Sequence, residues 1–104
     1  MRTLEFRVRG QEIAQAAGCD FDGLVRGTKG YLRARFYFDE NWDGCRVAAS
    51  FYDAQGNEHA APVVNGACMI PDEALAGGSF SVSLTGVKRR YRITAGKLTI
   101  RQGG

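Results

Sequence analysis

The sequence holds a single histidine, three cysteines and two prolines among its 104 residues, and each scarcity removes a class of function. Cys19, Cys45 and Cys68 are far apart, with no C-x-x-C pair. A structural zinc site takes four ligands, usually in closely spaced pairs, so it has no framework here. Charges interrupt Met1-Arg2-Thr3-Leu4-Glu5-Phe6-Arg7, so this segment does not read as a secretory signal, and the thiols are expected free and mostly buried. No run approaches the ~18 apolar residues of a membrane span. A soluble chain, made in the cytoplasm and without membrane contact, is expected.

Catalytic groups are equally sparse. His59 has Glu58 beside it, but no serine or cysteine is recognisable as its nucleophile, and adjacent strand residues face opposite sides of a sheet. It reads as a surface or edge residue. Asp20 and Asp22 bracket Phe21 in a spacing too common in loops to signify acid–base work. Gly23, Gly27 and Gly30 follow no strand that enters a helix, so they make no phosphate loop. The sequence predicts a non-enzyme with no catalytic residue, metal or cofactor.

What is abundant is period-two alternation, with 44% hydrophobic and 24% charged residues. Leu4, Phe6 and Val8 alternate with Thr3, Glu5, Arg7 and Arg9. Leu32, Ala34, Phe36 and Phe38 alternate with Tyr31, Arg33, Arg35 and Tyr37, and Cys45, Val47, Ala49 and Phe51 do so with Arg46, Ala48, Ser50 and Tyr52. The pattern returns in Phe80, Val82 and Leu84, in Tyr91 and Ile93, and in Leu98 and Ile100. Each run predicts a strand with one wet face. Asp53–Asn57 and Asn65-Gly66 are turn signals that predict two successive hairpins. Pro62, which cannot donate a ladder hydrogen bond, puts the His59–Val64 run at a sheet edge. Pro71–Leu75 predicts one short helical turn, stopped by Gly77-Gly78.

Residues 10–30 lack this period and predict a long loop between sheets, in which Glu12–Ala17 could form a short helix or continue the first strand, while residues 102–104 predict a flexible tail. The expectation is an all-β fold, one domain over 1–104, an antiparallel immunoglobulin-like β-sandwich of about seven strands. A small closed barrel is the alternative. Its predicted core is Phe36, Phe38, Trp42, Val47, Phe51, Phe80, Val82, Leu84 and Ile100.

Two stretches invite a functional reading. Asp39, Asn41, Asp43 and Gly44 match the opening of a calcium-binding EF-hand loop, but Ser50 stands where the closing bidentate Glu belongs and a strand replaces the incoming helix. The segment reads as a turn, with Asp and Asn bonded to their own backbone and Trp42 folded back onto the core. Fourteen Lys and Arg exceed eleven Asp and Glu, a net charge of +3. Tyr31, Arg33, Arg35 and Tyr37 share the wet face of one strand, with Arg7 and Arg9 from the first, and Arg89, Arg90 and Arg92 lie in a charged hairpin. These residues form the candidate interface, because Tyr and Arg are enriched in protein–protein contacts. A single-stranded nucleic-acid face, and a sugar-binding face using Tyr31, Tyr37, Trp42 or Tyr52, are the alternatives.

The succession Phe36–Gly44, Val47–Phe51, Cys68–Leu75 and Phe80–Gly86 resembles the immunoglobulin-like modules of phage tail and baseplate proteins from Gram-positive hosts, including the N-terminal domain of baseplate upper proteins. These share an aromatic strand, a Trp-x-Gly turn, an apolar strand ending in Phe, a Cys-x-Ile-Pro segment leading to Glu-x-Leu, and a Phe-x-Val strand ending in Gly. Asp72 stands where such modules often carry Trp. The resemblance implies a structural block of a phage or prophage tail, made in the cytoplasm of the bacterial host and then carried in the virion tail. It would bind other tail subunits or host-encoded proteins, with a homo-oligomeric ring as one implied arrangement and nucleic acid an unfavoured partner.

Overall fold

The alternating runs become strands whose apolar members face one another across two layers. A computed structural model describes Met1–Gly104. Its eight strands are β1 (Arg2–Arg9), β2 (Glu12–Gln15), β3 (Leu32–Phe38), β4 (Arg46–Tyr52), β5 (Glu58–Val63), β6 (Ala67–Met69), β7 (Ser79–Lys88) and β8 (Tyr91–Arg101). They form two four-stranded sheets, β2-β1-β3-β6 and β5-β4-β7-β8. Apart from strands there are only two short 3-10 turns, Glu40–Trp42 and Asp72–Leu75, the second at the predicted place. The fold is an all-β sandwich.

Its core is a single cluster fed by both sheets. Phe6, Leu4 and Val8 of the first sheet and Phe51, Phe80, Val82 and Leu84 of the second are fully buried. Each such side chain contributes about 1.5–3 kcal/mol by leaving water. Phe36, Trp42 and Ile100 are buried as predicted. Phe38 and Val47 are only half-buried, packed against the margin of the cluster.

Residues 10–30 are not loop throughout. β1 and β3 run parallel, from Arg2 opposite Leu32 to Val8 opposite Phe38, so the chain must travel back along the sheet between them. β2 makes that return, antiparallel to β1 on its other side. The remaining loop closes one end of the sandwich. Leu24 is buried there, Phe21 meets Phe6 edge-on at 5.2 Å, and the Arg2 guanidinium donates to the Asp20 and Asp22 carbonyls at 2.9 and 2.7 Å.

The C-terminal residues are docked against this loop, contrary to a flexible tail. Gly103 N–H donates to Leu24 O at 2.7 Å and Arg26 N–H donates to Gly103 O at 2.9 Å. The Gln102 side chain is buried and donates to the carbonyls of Leu75 and Gly77.

Two departures from the expected strand count have local causes. Tyr91–Arg101 is one strand, because a bulge after Val82 pairs Ser83 with Gly96 and Val82 with Leu98. The extra residue, Lys97, shifts the inward phase from Ile93 and Ala95 to Leu98 and Ile100. Asn65 and Gly66 do take the paired positive φ of a type I′ turn, 52° and 78°, with reciprocal hydrogen bonds between Val64 and Ala67. The turn makes a corner rather than a second hairpin, since β5 stays in one sheet and β6 pairs with β3 in the other. β5, with Pro62, is an edge strand as predicted.

Candidate functional site

The parallel register of β1 and β3 builds the outer face of the first sheet. Thr3 lies opposite Arg33, Glu5 opposite Arg35 and Arg7 opposite Tyr37. The Arg33 guanidinium donates to Thr3 Oγ1 at 3.2–3.3 Å. Tyr37 O–H donates to Glu5 Oε1 at 3.0 Å, and the Arg35 guanidinium sits 5.5 Å from the centre of the Tyr37 ring. Arg33, Arg35 and Tyr37 are therefore held in place before any partner arrives. Tyr31 and Tyr37 are nevertheless about half exposed, at 48% and 47%.

Met69, 40% exposed, extends this face through β6, where it lies opposite Arg33. The interface prediction omitted it, although the burial of Cys68 between Ala67 and Met69 carries the signal: if Cys68 points in, its neighbours point out. The result is a surface of Tyr, Arg and Met side chains, the composition enriched at protein–protein contacts, on which Arg33, Arg35 and Tyr37 are preset. Its arginines offer forked donors to carboxylates and flat stacking surfaces.

Arg89, Arg90 and Arg92 do not join that face. They lie at the β7–β8 hairpin, in the other sheet. This tip is fastened to the Asp39–Gly44 segment: Lys88 Nζ donates to Asp43 O and Tyr91 O–H to Asn41 O, both at 2.8 Å. The predicted interface is thus two separate surfaces.

The Asp39–Gly44 segment is occupied with structure. Asp39 Oδ1 accepts from Asn41 N–H and its Oδ2 from Gly10 N–H, at 3.1 and 2.8 Å, which ties the β1–β2 turn to the 3-10 turn. Gly44 has φ of 73°, a conformation costly for other residues. Trp42 is buried beneath it and donates from Nε1 to Gly10 O at 2.9 Å. It is unavailable as a sugar platform, and Tyr52 is covered by Lys97 Nζ at 3.8 Å from its ring centre.

His59 sits on edge strand β5 and its Nε2 meets Asp53 Oδ2 at 3.0 Å. That ring, followed by the backbone amides of Asn57 and Gln55, holds the Asp53 carboxyl at about 2. The pair braces the β4–β5 turn. All three cysteines are free; Cys68 is buried and Cys19 and Cys45 are half-buried. Burial pushes the Cys68 thiol up to about 11.

An open groove of about 460 Å³ lies where the 21–24 loop approaches Leu98–Gly103. Gln15, Asp22 and Arg101 reach it, while His59 and the cysteines lie elsewhere. No group of three or more His, Cys, Asp or Glu side chains converges anywhere in the molecule, and no helix is long and apolar enough to cross a membrane. In comparisons with known proteins, no family model, no curated protein and no solved structure matches this chain.

Proposed function

We propose that this chain is a non-enzymatic assembly module of a phage or prophage tail, docking other protein subunits on the outer face of its first sheet. The observation that carries this reading is the exposure of Tyr31, Tyr37 and Met69 beside Arg33 and Arg35, with Arg33 already held by Thr3 and Tyr37 by Glu5. Ordering long side chains costs about 0.5–1.5 kcal/mol each on association, and here much of that cost falls within folding. The tail context comes from the sequence resemblance.

An immunoglobulin-like topology is part of the same reading. The neighbour order β5-β4-β7-β8 corresponds to the C′, C, F and G strands of a variable-type domain, and β3 beside β6 to B and E. The parallel β1–β3 pair is where the arrangement departs from that plan.

Particles purified by density gradient from the producing bacterium test the function. The chain should co-purify with tail subunits at a fixed stoichiometry by mass spectrometry. Its absence from particles, with free chain abundant in the same lysate, would contradict the reading.

A further inference from the structure

A second surface, on the opposite layer, has its own chemistry. Val87, 41% exposed, lies in one cross-strand row with Arg46 and Arg92 on the outer face of the second sheet. Ala48 and Thr85 form the next row. Arg46, Val47, Ala48, Thr85 and Val87 line a shallow, open depression of about 410 Å³, and Arg92 stands next to it, opposite Val87 on β8. Arg89 and Arg90 stand at the hairpin end beside it.

This hairpin is anchored through Lys88 and Tyr91, so its arginines project from a fixed frame. None of Arg46, Arg89, Arg90 or Arg92 meets a carboxylate within the chain. Arg46 in the lining and Arg92, Arg89 and Arg90 on the adjoining hairpin thus set four forked cations beside a small, largely apolar floor with no internal counter-charge.

We infer that this depression docks an acidic segment of a partner protein, placing one apolar side chain on Val87 and Ala48 and carboxylates against Arg46 and Arg92. The partner's chemistry follows from charge complementarity: arginine pairs bidentately with carboxylate, and rim pairs of opposite sign steer association. A two-fold contact with a second copy would set arginine against arginine. Single-stranded nucleic acid needs exposed rings on which bases stack. The floor offers none: Tyr91, 40% exposed, shares the phase of Ile93 and Ala95 and turns with Lys88 toward Asn41, on the side of the sheet opposite Val87 and Arg92. The inference rests on the assembly reading and makes the module bivalent, with one docking surface per sheet.

Fluorescein-labelled peptides of Asp and Glu with one central Leu, the same peptide with Asn and Gln, and an oligothymidylate of matching charge test this on the full-length chain. The acidic peptide should bind with salt-sensitive affinity and shift the backbone amide signals of Arg46, Val87 and Arg92 in NMR spectra. Affinity should fall about tenfold in Arg92→Gln and in Val87→Glu. If Val87→Glu fails to fold, Arg46→Gln serves in its place. Equal binding of the Asn/Gln peptide, tighter binding of the oligothymidylate, amide shifts confined to the Tyr31–Tyr37 face, or self-association that saturates the site would overturn the inference. Loss of peptide binding with the chain still present in particles sinks this proposal alone. Peptide binding with the chain absent from particles sinks the tail reading alone.

Discussion

Gly86→Ala is the sharpest perturbation of the layer packing. Gly86 lies in β7 and is itself buried, directly against Trp42. A Cβ there would sit 2.8 Å from both Cε3 and Cζ3 of the indole and 3.2 Å from Cys45 Cβ. In an open strand the change from Gly to Ala gains roughly 0.5–1 kcal/mol through backbone entropy. Here the ring cannot yield, because Trp42 is 3% exposed and its Nε1–H is bonded to Gly10 O. Overpacking of this kind costs about 1–3 kcal/mol, and expelling the indole would approach the ~3–5 kcal/mol of a Trp→Ala change. A net loss of about 2 kcal/mol is expected. With one tryptophan in the chain, urea melts followed by its fluorescence read both stability and local packing. The midpoint should fall at unchanged slope, and the folded-state emission should shift red. Gly103→Ala, whose new methyl meets only Leu24 O at 3.7 Å, should stay within about 0.5 kcal/mol of the parent. Trp42→Phe should relieve part of the Gly86→Ala cost in a double-mutant cycle. If Gly86→Ala matches or exceeds the parent in stability with unchanged emission, the described contact is wrong.

Asp39→Ala should destabilise by about 1–2 kcal/mol in the same assay, since it removes the cap of the 3-10 turn and the acceptor for Gly10 N–H. Asp53 has a folded-state value of about 2, below its ordinary 3.8. Its stabilisation is therefore full above about 3.8 and is lost as pH falls through about 2. Urea midpoints measured down through this window should drop less steeply in Asp53→Asn than in the parent. Iodoacetamide labelling of the native protein, mapped by mass spectrometry, should modify Cys19 and Cys45 well before Cys68, which is buried with its thiol held up at about 11. Equal labelling of all three would show that β6 opens far more readily than its burial suggests.

Most of the sandwich was legible because its period is two and one face of each strand is dry. Leu4, Phe6 and Val8, or Phe80, Val82 and Leu84, need no partner to declare which way they point. What was hidden depended on partners distant in sequence. Ile13 is the only buried residue of β2, too little to show a period, and its strand exists because the parallel β1–β3 pair needs a return path. Gln102 reads as tail until Leu75 and Gly77 supply the carbonyls that fix it. The phase change at Lys97 looked like two strands, since a bulge and a turn both break alternation.

The candidate site divides the same way. Tyr31, Arg33, Arg35 and Tyr37 were readable as one face from their spacing. Their coupling to Thr3 and Glu5 requires the β1–β3 register, which no local pattern encodes. That Arg89, Arg90 and Arg92 belong to the other sheet is a fact of topology.

Hydroxyl-radical footprinting of the chain, free and within purified tail particles, bears on the docking claim most directly, because Tyr and Met side chains report their own exposure. Tyr31, Tyr37 and Met69 should oxidise readily in the free chain and be strongly protected in the particle, with Trp42 slow in both. Equal oxidation of these three side chains in the free and assembled states would contradict the claim that the first sheet's outer face is where partners bind.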